Sequence, residues 1–194
     1  FNFIEISNEN YNHTDNKKFH YLGLYLSLLA KLNIKIETKK HYLPFIPNSN
    51  NIFLNKKYLL FHLDKRWETF PLKVRDNLKR KITSLSYDNK IVVTSNIGCN
   101  NFYNFIKKKL LNSSNIEFYD EPSLNNIISL VYFSETCISS HSGLIVHTAA
   151  AFNKKIIDIV HDEIFNELDR WVPFDTNYKR YNVQNFLDES FKFA

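Results

Sequence analysis

Residues 137–159 read CISSHSGLIVHTAAAFNKKIIDI, with Ser140, Ser142 and Gly143 set between an apolar run and an alanine-rich run. The chain holds only 3 glycines in 194 residues, where roughly fourteen are usual, so a glycine at such a junction asks for a reason. At a strand-to-helix turn, glycine lets the backbone approach a ligand or take a positive φ. The first turn of the following helix offers free N–H groups and about half a positive charge from the helix dipole. That combination binds anions, phosphate above all. Ser140 and Ser142 add hydroxyl donors, and His147 stands one helical turn beyond Gly143. Lys65, followed by Arg66 and Trp67 in the stretch HLDKRWETFP, would supply a full positive charge to a pyrophosphate. The same residues have plainer readings. A serine-glycine turn is also an ordinary helix cap, and His147 reads equally well as a satisfied core histidine. His141 and His147 are six residues apart with no acidic or thiol ligand at a supporting interval, so no metal site is expected.

These residues need elements to hold them. From Lys56 onward, short apolar runs alternate with helical patterns. KYLLFHL, KIVVTSN, IEFY, TCIS and KIIDIV read as five strands. Between them, Val74, Leu78, Ile82 and Leu85 share one helical stripe. Phe102, Phe105, Ile106 and Leu110 share a second, and Leu124, Ile127, Ile128 and Val131 a third, with Ser123 as its N-cap. Residues 143–152 form a further helix and NVQNFLDESFKF a last one. Repeated β-α units predict an α/β fold, a Rossmann-like doubly wound parallel sheet with helices on both faces. Such sheets bind ligands beyond the carboxyl ends of their strands. The residues there are His62, Asp64, Lys65 and Arg66; Thr94, Ser95 and Gly98; Asp120, Glu121 and Ser123; the SSHSG loop; and 161–163.

The bulk composition narrows the class. Hydrophobic residues make up 44% and aromatics 15%, enough for a packed core. The formal net charge of +5 favours anionic partners, but the lysines fall in short dispersed runs typical of solvated faces. Cys99 and Cys137 are far apart and read as buried reduced thiols. No secretory leader or membrane-spanning run is visible. The chain contains no Met and begins FNFIEIS, which suggests part of a longer protein. Phe19, Leu22, Leu26 and Leu29 have helical spacing, and HYLPFIPNSNN reads as a linker with a boundary near 48–51.

The stretch from SLNNIISLVYF through KIIDIV resembles the C-terminal half of the heptosyltransferase-like glycosyltransferases, family 9, of GT-B fold. Ser142 and Gly143 match that family's Ser/Thr-Gly turn, His147 its following histidine, and Ala149 and Ala150 its small pair. Lys65 and Trp67 take the places of a lysine shortly before a tryptophan, and EPSL resembles the loop bordering the nucleotide base. The resemblance covers roughly residues 58–160. Two features depart from the pattern: His141 stands where the family has an acidic residue, and His147 lies one residue further from the glycine. A nucleotide-sugar site is therefore carried over, and heptose is not.

The resemblance implies an inverting glycosyltransferase of GT-B type. Residues 1–54 would be the end of an N-terminal domain plus an interdomain linker, and 55–194 the donor-binding domain. The implied donor site comprises Lys65, Arg66, Thr94, Ser95, Glu121, Ser123, His141, Ser142, Gly143 and His147. The general base would belong to the N-terminal domain, so this chain alone would bind nucleotide without transferring sugar. The implied partners are a nucleotide-diphosphate sugar as donor and a glycan or glycolipid of lipopolysaccharide type as acceptor. Neither a further cofactor nor nucleic acid is implied. The setting would be cytoplasmic, with peripheral contact at an anionic inner membrane face. Three competing readings are a non-catalytic nucleotide-binding module, a nucleotide-sugar hydrolase or epimerase sharing the fold, and an RNA binder using the basic helix at 73–81. The last lacks the basic-aromatic motifs of the usual modules. In DRWVPFDTNYKRY, Arg170, Trp171, Lys179 and Arg180 either face a ligand or pack the C-terminal helix onto the domain.

Overall fold

A computed structural model describes residues 57–96, 101–166, 172–173 and 176–190. The proposed linker, Gly98, Cys99, Arg170 and Trp171 lie outside them. The sheet and all of its helices belong to one compact unit. The short 3-10 turn Asp162–Ile164 belongs to a second unit, where Phe165 N–H donates to the Asp162 carbonyl at 3.3 Å.

Six strands form one parallel sheet: β1 Tyr58–His62, β2 Lys90–Thr94, β3 Ile116–Tyr119, β4 Thr136–Ser139, β5 Lys155–Val160 and β6 Tyr178–Asn182. Their spatial order is β3-β2-β1-β4-β5-β6. The helices are α1 Leu72–Leu85, α2 Asn101–Leu110, α3 Leu124–Phe133, α4 Gly143–Ala151 and α5 Val183–Asp188. β1, β2 and β4 are buried along all or nearly all of their length because both faces of the central sheet are covered. Alternate residues then go to opposite layers. Leu59, Phe61, Ile91, Val93 and Ile157 pack against α1, α2 and α5. Leu60, Val92, Cys137 and Ile156 pack against α3 and α4. The fold is thus the doubly wound α/β sheet expected.

The helical stripes hold with two exceptions. Val74, Leu78, Ile82 and Leu85 are all buried on α1. On α2 the fully buried aromatic beside Phe102 is Tyr103, while Phe105 is half-buried beneath the Arg75 guanidinium, 4.3 Å from its ring centre. Leu124 was expected on the buried stripe of α3 and is 58% exposed. It is the first helical residue, one turn before the buried run that begins at Ile127.

β6 corrects the reading of the C-terminal region, where no strand was expected. Its sequence YKRYN carries two cations because it is an edge strand hydrogen-bonded only to β5. Lys179 pairs with Glu189 at 3.2 Å and lies 4.6 Å from the Tyr181 ring centre. Arg180 lies 5.8 Å from the Tyr178 ring centre and donates to its hydroxyl at 3.3 Å.

Two end signals position α4. After Phe152, Asn153 takes a left-handed φ of 53°. Its N–H donates to the Ala150 carbonyl at 3.0 Å, and Lys154 N–H to that of Ala149 at 2.8 Å. This Schellman stop turns the chain directly into β5. Ala149 and Ala150 are buried and let the helix lie close to the sheet.

Cys137 is fully buried in β4, and burial pushes its thiol up to about 12. It is an inert core residue, as expected. No helix among the described residues is long and apolar enough to cross a membrane.

Candidate functional site at the switch point

Strand order reverses between β1 and β4: the chain leaves β1 toward one face and β4 toward the other. Their carboxyl ends are in register, His62 beside Ser139. Two adjacent loops therefore diverge and open a crevice, which is where sheets of this topology take their ligands. The loops carry Lys65 on one side and Ser140, His141, Ser142 and Gly143 on the other. Residues far apart in sequence are joined here by strand order alone.

The β1 loop is rigidly held. Asp64 is 2% exposed and caps a 3-10 turn, Lys65–Thr69, by accepting from Arg66 N–H at 2.9 Å. The Arg66 guanidinium closes back on the same carboxylate at 2.6 Å. Trp67 is completely buried, its indole N–H donating to the His62 carbonyl at 3.1 Å and its ring packed against Phe70 and Phe102. Lys65 is exposed and forms no ion pair among the described residues. The two basic residues of this loop thus differ: Arg66 is engaged with Asp64, and the Lys65 ammonium is available.

His62, under this loop, is 3% exposed, with Nδ1 3.0 Å from the Thr94 hydroxyl. Burial holds its imidazole down at about 4, against an ordinary 6.5, with the Asp64 charge opposing and the Arg66 charge adding to the effect. Between those two values the folded state binds fewer protons than the unfolded chain. Stability from this group is therefore complete above pH 6.5 and is lost as pH falls toward 4. The loss is on the order of 3 kcal/mol. Urea unfolding of the parent and of His62→Gln across this range should show a steeper decline in the parent. Parallel curves would contradict it.

The β4 loop is anchored differently. His141 is a non-glycine residue at φ 47°, a conformation that costs about 1–2 kcal/mol. Asp158 of β5, fully buried, holds it there. One Asp158 oxygen accepts from His141 N–H at 2.6 Å, and the other lies 2.9 Å from His141 Nδ1. The Tyr178 hydroxyl donates to that second oxygen at 2.7 Å. Burial and the neighbouring Asp158 charge keep the Tyr178 phenol above its usual range, so it remains a donor.

The turn delivers Ser142 to the N-cap of α4. Ser123 caps α3 by accepting from Asn126 N–H at 3.3 Å, and Asn182 caps α5 by accepting from Asn185 N–H at 2.8 Å. Ser142 makes no such bond. The first-turn amides of α4 therefore lack a side-chain cap, and a Cβ added at Gly143 would meet nothing within 4 Å. Gly143 does not have a left-handed φ; of its two expected roles, close approach of a ligand is the one the geometry permits. The left-handed residue is His141 instead. The Ser139 hydroxyl, at the end of β4, is fully buried with no hydrogen-bond partner among the described residues.

The remaining residues are spread along the same rim. Thr94 is completely buried and bonded to His62, so it supports the β1 loop from beneath. Ser95 is buried next to it. Glu121 is exposed at a left-handed φ of 41°, and the Ser123 hydroxyl is engaged as a cap. Both follow β3, two strand spacings or about 10 Å from β1. Asp120 is tied to Tyr103 and Lys107, and these hydrogen bonds hold its carboxyl below the usual range. His147 is exposed on α4, which removes its reading as a core histidine. His161, at the end of β5, stacks on Phe70 at 4.1 Å and lies 2.6 Å from the Thr69 hydroxyl. Sequence reasoning missed Asp158 and Tyr178: Asp158 reads as one polar residue within the strand KIIDIV, and only the strand register sets it beside the β4 loop, while Tyr178 lies on the unexpected strand β6.

Comparison with known proteins places this geometry. No family model matches the sequence, and no curated protein matches it. Solved structures do match. The glycosyl transferase family 9 protein from Veillonella parvula superposes with a TM-score of 0.60 at 10% identity, over 88% of this chain and 51% of that one. E. coli heptosyltransferase WaaC, solved with ADP-2-deoxy-2-fluoro heptose, superposes at 0.54 with 16% identity, over 80% of this chain and 47% of that one. The Methanocaldococcus jannaschii UDP-GlcNAc 2-epimerase, solved with UDP-GlcNAc and UDP, superposes at 0.52 with 17% identity, over 68% of this chain and 37% of that one. The chain thus spans about half or less of the length of each. At these identities the likeness establishes the fold: a Rossmann-like α/β sheet of the kind found in heptosyltransferase-like GT-B glycosyltransferases.

Proposed function

We propose that this chain is the donor-binding part of an inverting glycosyltransferase of GT-B type, holding a nucleotide-diphosphate sugar at the crevice between β1 and β4. The observation that carries this reading lies at the switch point of the sheet: among the described residues Lys65 has no ion-pair partner, and Ser142 makes no side-chain cap at the mouth of α4. The α4 amides, the Ser142 hydroxyl and Lys65 take the diphosphate, with Gly143 leaving room for its oxygens. As the bond from sugar to phosphate breaks, negative charge grows on the leaving nucleoside diphosphate. Fixed dipoles at the α4 N-terminus, joined by the Lys65 ammonium, would stabilise that charge with little reorganisation. Glu121 and Ser123, further along the rim, border the nucleoside. Residues 55–194 form the donor domain, and 1–54 the end of an N-terminal domain with its linker.

The acceptor is a glycan or glycolipid whose hydroxyl must lose a proton to a positioned base. The base is assigned to the N-terminal half of such an enzyme, so the chain alone is expected to bind nucleotide and not to transfer sugar. The setting proposed is cytoplasmic, at the inner membrane face. A thermal-shift panel of ADP, GDP, UDP and CDP with their sugars tests the binding. One series should raise Tm by about 5–10 °C at a hundredfold excess over Kd. Lys65→Ala should weaken binding by about ten- to a hundredfold and Ser142→Ala by less. Failure of the whole panel would overturn the reading.

A second reading comes from the epimerase superposition, since its TM-score is close to that of the heptosyltransferase. Product analysis with the stabilising nucleotide sugar and the full-length protein separates the two. Transfer to an acceptor supports the first reading; an epimerised or hydrolysed sugar with no acceptor supports the second.

A further inference from the structure

Asp158 holds His141, and Tyr178 in turn holds Asp158. The Asp158 carboxylate is completely buried and takes three contacts: His141 N–H at 2.6 Å, His141 Nδ1 at 2.9 Å and the Tyr178 hydroxyl at 2.7 Å. A carboxylate only accepts, so Nδ1 must carry the proton. In the neutral imidazole this leaves Nε2 as a lone pair. Nε2 has no partner among the described residues, and the ring is 26% exposed although Asp158 beside it is not. His141 directly precedes the Ser142 cap of α4, so it adjoins the proposed diphosphate mouth in the chain.

We infer that Asp158 and Tyr178 are positioning residues that fix His141 with Nε2 as a hydrogen-bond acceptor, and that this acceptor reads a hydroxyl of the transferred sugar. The inference rests on the nucleotide-sugar reading above and names one specificity element within it. The chemistry selects the ligand group. Phosphate oxygens have no proton to give a lone pair, whereas every sugar hydroxyl does. The left-handed turn and the tautomer are set by the same carboxylate, so losing Asp158 would disturb both.

Two measurements test this. The first needs no ligand: the ¹⁵N shifts of the His141 ring in neutral imidazole form. The parent should show the proton on Nδ1. In Asp158→Asn, the amide can donate to Nδ1, so the proton should move to Nε2. An Nε2–H tautomer in the parent, or the same tautomer in both proteins, overturns the inference. The second compares affinities for matched probes by calorimetry: ADP with ADP-glucose, GDP with GDP-mannose, and UDP with UDP-glucose. In the series that binds, Asp158→Asn should reduce the preference for the sugar-bearing member about three- to tenfold, with the bare diphosphate less affected. His141→Gly keeps a residue at ease in the left-handed turn and removes Nε2. It should lose the same preference, and it serves if Asp158→Asn does not fold. Equal weakening of both members, or an unchanged preference, overturns this inference and leaves the nucleotide site standing. Failure of every probe on the parent instead removes the nucleotide site and this inference together.

Discussion

Gly143→Asp should leave the protein at least as stable as the parent while weakening nucleoside diphosphate binding a hundredfold or more. Gly143 opens α4 without a left-handed φ, and a Cβ there meets nothing within 4 Å, so a side chain is accommodated without strain. A carboxylate in the first turn of a helix is favourable by about 0.3–1 kcal/mol through the dipole. Removing a helical glycine adds up to about 1 kcal/mol. The same carboxylate occupies the place proposed for phosphate oxygens and repels them. Opposite signs for stability and binding are hard to obtain from a structural disturbance, which would lower both. Gly143→Ala adds a Cβ without a charge and is the control: it should keep the gain in stability and weaken binding less than Gly143→Asp. Thermal unfolding and calorimetry on the three proteins decide the matter. Binding by Gly143→Asp at parental affinity would mean that the anion does not lie at the mouth of α4.

Trp67→Ala should be among the most destabilising single substitutions. The side chain is completely buried between Phe70 and Phe102, and its N–H satisfies the His62 carbonyl. Removing a core aromatic of this kind costs about 3–5 kcal/mol. For a chain of this size that lowers Tm by roughly 6–20 °C. The effect should also reach the crevice, because Trp67 pins the 3-10 turn that presents Lys65. Nucleotide binding measured well below the new Tm should therefore weaken too. Leu72→Ala, at a side chain 67% exposed, should change neither quantity measurably. A Trp67→Ala protein with parental Tm would contradict the packing described for the β1 loop.

The fold was legible wherever local periodicity and burial agree. β1 and β2 announce themselves as mostly apolar runs because helices cover both faces, and the α1 stripe is regular over about three turns. β6 was not legible, since an edge strand with Lys179 and Arg180 looks like a polar loop until its partner β5 is known. Leu124 obeys the helical spacing yet is exposed, because spacing says nothing of where along a helix the burial begins. At the rim, Ser142, Gly143 and Lys65 were identifiable by residue type. Which cations and hydroxyls remain available was not. Arg66 is closed onto Asp64, Thr94 onto His62, and Ser123 onto its own helix. The role of Asp158 depends on a strand register that sets it level with Ser139, a relation that exists only in the folded sheet.

The central claim is that the amide mouth of α4 and the Lys65 ammonium together receive a diphosphate. Backbone amide shifts of ¹⁵N-labelled protein, followed on titration with the nucleoside diphosphate that stabilises it, test this most directly. The Gly143 and Leu144 amides should show the largest shifts, saturating together with that of Lys65, and Lys65→Ala should abolish saturation over the same range. Saturable shifts confined to other surfaces, with Gly143 and Leu144 unmoved, would contradict it.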